Sequence, residues 1–393
     1  MAKIGVFTWW KNANYGGFLQ ALATQEYLKK LGNQPEMVDL GTHPLIFSFV
    51  VRVLYFSFHK FLRASFIQIS LRYYRIYKTL RKKFTISPFR LPWGTHNCEK
   101  LKRYDILLCG SDQIWNPDYL VPDYLLPEAP EEIPKMSYAS SIGNADIPEE
   151  LQGVYKKFLD RFCQISVREA SGAVALNKVL DKEACWVVDP TLLLTAEQWE
   201  DCLGIKNAKT TGKYMFCYTL SLLPVEKYFL LMKWAKKHKQ KIFLYVEHNA
   251  GIRYWSNAKV SWRKIFDVLR WNMVLLFSPW IKIRQSASVE DFVSAIRDSE
   301  VMISDSFHAL MFATIFNKNI KIILPQDRLR MSPRITDFCK KIQYKNVIIN
   351  DFVPEMFVEK SARRLMNFSK SFFVVFGKSF LVGSLNCIGW FLR

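Results

Sequence analysis

The chain has 393 residues, half of them hydrophobic, with a formal net charge of +20. That length exceeds one ordinary core, so two domains are expected, and the hydrophobic share is ample for burial. Eight scattered cysteines, with no CxxC pair and no zinc-like spacing to histidine, exclude a disulfide framework and a metal site. They point to reduced thiols in a cytosolic protein. The opening MAKIGVFTWW carries no basic leader ahead of a long apolar run, so no secretory signal is expected. The charge calls for an anionic partner: nucleic acid, acidic lipid or a phosphorylated substrate.

In chain order, KIGVFTWW reads as a strand, KNANYGG as a polar turn, FLQALATQEYLKKLG as a helix ending at Gly32, and PEMVDL as a second strand. Strand, loop, helix and strand in that order begin an α/β domain with a parallel sheet. The pattern returns in YDILLCG (104–110), MSYASSIG (136–143), CQISVRE (163–169) and CWVVDP (185–190). A second α/β domain is expected from about Lys213. It comprises YMFCYTL, a helix over 225–239, KIFLYVE, a helix over 289–298, VMISD and the helix after His308. The predicted division is residues 1–200 and 212–350, with 195–211 as the linker region and a cleft between two facing domains.

Two stretches depart from a plain soluble enzyme. Residues 45–98 contain ten lysines and arginines and no acidic residue, interleaved with Phe, Tyr, Leu and Ile. Such a basic amphipathic segment suits an anionic lipid interface. The alternative is a helical insertion packed on its domain. The last 23 residues, within a tail at 360–393, are apolar but for Lys378, a few small polar residues and Arg393. They suit an in-plane or spanning membrane anchor, or a tail docked in a groove. Nucleic acid is the weaker account of the charge, because no nucleic-acid motif is present. The protein is therefore expected in the cytoplasm, held peripherally at the inner face of the membrane.

Several polar knots can carry chemistry. Asn14, Tyr15, Gly16 and Gly17 stand where the first strand becomes the first helix, an edge where amides and the helix dipole favour an anion. They also make an ordinary Asn-Gly turn. Ser111, Asp112 and Gln113 follow YDILL at the same edge and can grip sugar hydroxyls or cap a short helix. Trp115 is either a stacking platform for a sugar or part of the core. Arg168 after ISV can clamp a carboxylate or phosphate, or form a structural ion pair. Asp189, before Pro190, fits a cap or hinge as well as catalysis. His308 begins a helix behind SDSF, a setting that favours neutral imidazole and general acid–base work. The same residue can instead be a structural histidine bonded to Asp305.

Taken together, NYGGFLQALATQEYLKKLG, YDILLCGSDQIWN, YASSIG, ISVREASGAVAL, VVDPTLLL and SDSFHALMFATIFNK resemble the polysaccharide pyruvyl transferase family, in order, across about 300 residues from Lys3 to Phe338. The resemblance implies an α/β fold of two Rossmann-like domains facing a cleft, similar to the GT-B glycosyltransferase architecture. It implies transfer of enolpyruvate from phosphoenolpyruvate to a sugar of a cell-surface polysaccharide or its lipid-linked precursor. C3 of the donor is protonated, a sugar hydroxyl attacks C2, phosphate leaves, and a second hydroxyl closes the ketal. Phosphoenolpyruvate is then a co-substrate, and no cofactor or metal is implied. By the same resemblance His308 is catalytic and Arg168 binds the donor; Asp305, three residues before the histidine, is expected to act with it. Asn14, Tyr15, Gly16, Gly17, Ser111, Asp112, Gln113 and Trp115 line the substrate site. The implied partners are a glycan acceptor and the anionic membrane surface, with no nucleic acid.

The chain departs from the family at Ser306, where better-studied members carry an arginine that helps hold the donor, and at Ala309, where an SFH-pattern branch has glycine. Arg334, in SPRITDF, matches a downstream arginine of that branch and can restore the charge beside Ser306. Two alternatives stand beside pyruvyl transfer: a nucleotide-sugar glycosyltransferase of the same architecture, and a non-catalytic membrane-bound scaffold for glycan assembly.

Overall fold

The computed structural model describes residues 1–11, 14–41, 63–92, 98–207, 212–220, 223–247, 278–324, 333–344 and 347–349. Its first sheet joins β1 (Lys3–Phe7), β2 (Gln34–Leu40), β3 (Ile86–Leu91), β4 (Ile106–Cys109) and β5 (Lys135–Ser137), in the spatial order β3-β2-β1-β4-β5. All pairs are parallel. β4, ILLC, is buried at every position because helices or loops cover both faces of such a sheet. A parallel pair, β6 (Ile165–Val167) and β7 (Ala184–Trp186), continues from β5 through bridges at Met136–Gln164 and Ser140–Val167.

The second sheet is also wholly parallel. It runs β10-β9-β8-β11-β12-β13, from β8 (Tyr214–Thr219), β9 (Lys241–Val246), β10 (Ile281–Ile283), β11 (Val301–Ser304), β12 (Asn319–Ile323) and β13 (Ile348–Ile349). In both sheets the strand order reverses beside the first strand of the unit, β1 or β8. That is the switch point where open α/β sheets leave a crevice at their carboxyl ends.

The helices are α1 (Tyr15–Lys30), α2 (Arg63–Lys83), α3 (Glu149–Leu159), α4 (Ala170–Asn177), α5 (Ala196–Leu203), α6 (Val225–His238), α7 (Val289–Asp298), α8 (Phe307–Ile315) and α9 (Pro333–Lys341). Most of α1 and nearly all of α8 is buried on every side, as expected of helices enclosed by other elements rather than laid on a surface. One apolar cluster runs through both halves of the chain, from Ile4, Val6 and Phe18 to Phe216, Phe292 and Phe312. Residues 195–203, within the predicted linker region, begin with a capping box at Thr195 and form α5, whose Trp199 meets Phe312 at 5.0 Å.

The described part of the basic stretch is chiefly α2 and β3, and the inner face of α2 packs on protein. Arg72, Ile76, Thr79 and Leu80 are buried. Thr79 donates to Glu290 of α7 at 2.9 Å, and Lys83 donates to the Cys202 carbonyl. Within α2 the membrane expectation therefore concerns the outer face. Residues 42–62 and 93–97, and the tail at 360–393, lie outside the described residues. Among the described residues no helix is long and apolar enough to cross a membrane.

Candidate functional site

Five strand ends deliver the site. β1 leads through Thr8 and Trp9 toward α1, β4 into Gly110, Ser111 and Asp112, β6 into Arg168, β7 toward Asp189, and β11 into the turn before His308. The residues from the first half of the chain meet the histidine from the second at the facing carboxyl edges.

His308 occupies the first turn of α8 with its imidazole buried. Its ring lies close against the start of α1: a Cβ placed on Gly16 would stand 2.1 Å from Nδ1. Only glycine allows this approach. Across the ring, Nε2 is 3.7 Å from Asp189 Oδ2 and has no hydrogen-bond partner. Burial drives the His308 pKa down to about 4, against the pull of Asp189 and with a further push from Arg168. At neutral pH the imidazole is uncharged and able to take up a proton.

Asp189 has two jobs. Its Oδ1 accepts from the Thr191 amide at 3.0 Å and hydroxyl at 2.7 Å, capping the turn that follows. Its Oδ2 accepts from Ser111 Oγ at 3.0 Å and Arg168 Nη1 at 3.1 Å. Burial pushes this carboxyl up, but His308 when protonated, Arg168 at every pH and the Thr191 bonds hold it below its ordinary value. Asp305, expected beside the histidine, instead accepts from the Leu220 amide at 2.7 Å and ties β11 to the end of β8. The carboxylate facing His308 is Asp189. The correction has a simple cause: the turn after β11 aims residue 305 across its own sheet.

Arg168 is fully enclosed. It reaches Asp189, Asp112 at 3.4 Å and Glu169 at 3.5 Å, and it also donates to Ser111 Oγ at 3.2 Å. The expected clamp is thus an internal cation that holds three carboxylates in place, with only Nε lacking a hydrogen-bond partner. Burial opposes its charge, yet the surrounding carboxylates raise its pKa. Glu169 is the reverse case: burial raises it above the usual carboxylate range despite Arg168, while Ser141 donates to its Oε1.

Arg334 arrives from α9. Its guanidinium and that of Arg168 both lie over Phe307, at 5.9 and 5.0 Å from the ring centre. Burial, reinforced by Arg168, lowers the Arg334 pKa to about 10, which still leaves it cationic at neutral pH. Its Nε has no partner. Ser306 sits at the N-cap of α8 without a side-chain cap bond, its own amide donating to Ser304 Oγ.

Of the remaining candidates, Asn14 caps α1 by accepting from the Gly17 amide at 3.2 Å. Gly17 leaves room for Asp112, whose backbone is left-handed with φ 83° and whose Oδ1 accepts from the Gln113 amide. Gln113 Oε1 accepts from Tyr119 at 2.6 Å, while its buried Nε2 has no partner. Gly143, at φ +73°, makes space for that amide, since a Cβ there would fall 2.3 Å away.

Two expected substrate residues are not at the site. Tyr15 is fully buried, stacks on Phe292 at 4.1 Å and donates to the Ala287 carbonyl at 2.7 Å, so it joins the two halves of the chain. Trp115 is also core, with Nε1 donating to the Tyr124 carbonyl and its ring set edge-on to Phe162. The accessible aromatic surface near the site comes from half-buried Trp9 and exposed Tyr119, stacked at 5.7 Å. Tyr119 also receives a bond from Asn116 Nδ2 at 3.1 Å. The only local clue to Trp9 was its position after β1. Among the described residues no group of His, Cys, Asp and Glu can hold a metal.

A buried neutral imidazole over an arginine–carboxylate network can be compared with known proteins. The profile described as Polysaccharide pyruvyl transferase matches residues 14–320. The chain belongs to the polysaccharide pyruvyl transferase family. The match covers every strand from β2 to β11, together with His308, Asp189 and Arg168, while Arg334 lies beyond it. Family membership places this pyruvyl transferase relative among transferases of polysaccharide biosynthesis. No curated protein matches it by sequence.

Among solved structures it is similar to S. aureus MnaA solved with UDP, at TM-score 0.55 and 12% identity over 98% of this chain and 97% of that one. A putative UDP-N-acetylglucosamine 2-epimerase from Listeria monocytogenes gives 0.55 at 8% identity, covering 98% and 95%. Anabaena HepE in complex with UDP and glucose gives 0.51 at 8%, covering 98% and 100%. These likenesses show the fold: a two-domain, GT-B-like α/β architecture.

Proposed function

We propose that this family member transfers the enolpyruvyl unit of phosphoenolpyruvate to a sugar of a cell-surface polysaccharide or its lipid-linked precursor, forming a pyruvate ketal. The observation that carries the reading is His308: a buried, uncharged imidazole with a free Nε2, set between Asp189 and two arginines. The donor's C3 takes a proton to become a methyl group, and a sugar hydroxyl gives up its proton as its oxygen bonds C2. The C2–O bond to phosphate breaks, and a second hydroxyl closes the ring, its proton leaving on the phosphate. His308 moves the proton. The anionic donor, once bound, supplies the negative charge that raises the imidazole pKa toward working range.

In this reading Arg334 meets the donor anion, since its Nε is unpartnered while Arg168 is held by its own carboxylates. Gln113 Nε2 and the Trp9–Tyr119 pair receive the sugar, the amide on a hydroxyl and the rings on an apolar face. The acceptor is lipid-linked or polymeric, and the enzyme works from the cytoplasmic side of the membrane.

The test is phosphate release from phosphoenolpyruvate by purified protein, with lipid-linked glycan from the native host as acceptor, read alongside acceptor mass. Acceptor-dependent release with the mass gain of one ketal supports the proposal. Release of nothing, with an acceptor proven competent by a known pyruvyl transferase, overturns it. A second reading, transfer from a nucleotide sugar, draws on Ser306 in place of a donor-binding arginine and on the UDP held by structural neighbours. Turnover with nucleotide sugars and none with phosphoenolpyruvate would select it.

A further inference from the structure

Helix α2 presents two unlike faces. Positions 72, 76, 79 and 80 point into the protein, where Arg72 lies 4.5 Å over the Tyr15 ring. The opposite face repeats at intervals of three and four: Leu71, Tyr74, Lys78, Arg81 and Lys82, flanked by Arg75 and Tyr77. Leu71 is 42% exposed, Tyr74 65% and Tyr77 48%. Seven large hydrophobic side chains are exposed among the described residues, and these three share one helix face. The clustering sets this face apart from scattered surface apolar groups, which need no explanation.

The charge on the face is of one sign. No acidic residue occurs anywhere from 63 to 83, and Arg81 lies 5.1 Å over the Tyr77 ring, bringing cation and aromatic together. Arg75 is partly engaged, donating to the Ser286 carbonyl at 2.7 Å, which pins the helix to the body of the protein. Tyrosines among lysines and arginines match a headgroup layer, where rings sit at the interface and cations meet lipid phosphates. From Leu71 to Lys82 this face offers a contact about 17 Å long. The helix is too polar to enter the hydrocarbon and is held in place by its buried face.

We infer that the outer face of α2 docks the protein in the plane of an anionic lipid bilayer. The occupant is chosen by charge complementarity with exposed aromatics. The interaction is independent of which donor the enzyme uses.

The experiment is co-sedimentation of the full chain with vesicles of phosphatidylcholine alone or mixed with phosphatidylglycerol, at low and high salt. Binding is expected only to the mixed vesicles and should weaken with salt. Lys78→Glu/Arg81→Glu/Lys82→Glu should lower vesicle affinity by roughly a hundredfold or more, three headgroup contacts being removed. Lys236→Glu/Lys237→Glu, on exposed positions of α6, should leave it within about threefold. If the triple variant does not fold, Tyr74→Ser/Tyr77→Ser gives the second reading, with loss expected to persist at high salt. Equal binding to neutral vesicles overturns the proposal. So does parent-like binding by the α2 variants, or an equal loss in the α6 control. Tighter binding of RNA than of anionic vesicles, lost in the same triple variant, also overturns it and makes nucleic acid the partner of this face.

Discussion

Two helix starts meet at the site, and they are built in opposite ways. α1 opens with Asn14 as a side-chain cap and two glycines, offering space and backbone amides. α8 opens with Ser306, which makes no side-chain cap bond, then Phe307 and His308, offering a ring stacked beneath two guanidiniums and an imidazole. The first is shaped so that something else fits; the second supplies the chemistry. The difference teaches that Gly16 and His308 are one functional unit, although nearly three hundred residues separate them.

Removing the chemical half should have the largest effect. His308→Asn is expected to lower turnover by roughly 10²–10⁴-fold, the usual contribution of a positioned acid–base group. Circular dichroism should remain native, and near-parental turnover would take the imidazole out of the mechanism. Filling the space from the other side comes next. Gly16→Ala forces a methyl into the imidazole, and displacement of about 1 Å should cost on the order of a hundredfold in turnover. It should also cost about 1–3 kcal/mol of stability, read by urea unfolding. A silent Gly16→Ala would show that the two helix starts separate during catalysis.

Arg334→Met should raise the donor KM by roughly tenfold to a hundredfold, as expected for one lost charged hydrogen bond, with a smaller change in kcat. If kcat falls and KM does not, Arg334 acts on the transition state alone. The pH dependence probes the buried imidazole directly. His308 holds its proton less tightly folded, at about 4, than at its ordinary 6.5, so the unfolded chain binds more protons between those values. Its contribution is therefore complete above pH 6.5 and is lost as pH falls toward 4, by up to about 3 kcal/mol. Glu169, shifted upward, works in the opposite sense. The contribution is best read as the difference between parent and His308→Asn unfolding curves, and a flat difference would contradict the buried neutral state. The smallest effect separates the two caps. Asn14→Ala should cost about 1 kcal/mol and Ser306→Ala under about 0.5 kcal/mol, because only the first loses a cap bond.

Much of the fold could be read from short runs. YDILL, VMISD and KIFLYVE became central parallel strands because uninterrupted apolar stretches need both faces covered. The helix starts at Val225 and Val289 followed from local signals, whereas α1 begins at Tyr15, inside the stretch that reads as a polar turn. The site was legible as a list of strand ends but not as a set of partnerships. Asp305 stands three residues from His308 in sequence, yet its carboxylate goes to Leu220, while Asp189 crosses from another strand. Tyr15 and Trp115 have the composition of ligand platforms and the surroundings of core, because their burial depends on α7 and on the loop around Tyr124. Arg168 read as either a clamp or a structural ion pair, because beyond its neighbour Glu169 the carboxylates of Asp112 and Asp189 reach it only in the fold.

The grip of α2 on both halves of the chain bears on how the protein can be divided. Arg72 reaches Tyr15 on one side, while Thr79 and Arg75 reach Glu290 and Ser286 on the other. A fragment ending at residue 207 would carry the helix but lose α7 beneath it, leaving Thr79 without its Glu290 partner. The halves are therefore not exchangeable cassettes. A chimaera with a relative's second half would have to bring its own residues to match α2, and co-expressed fragments should reassemble through that helix before they recover a site.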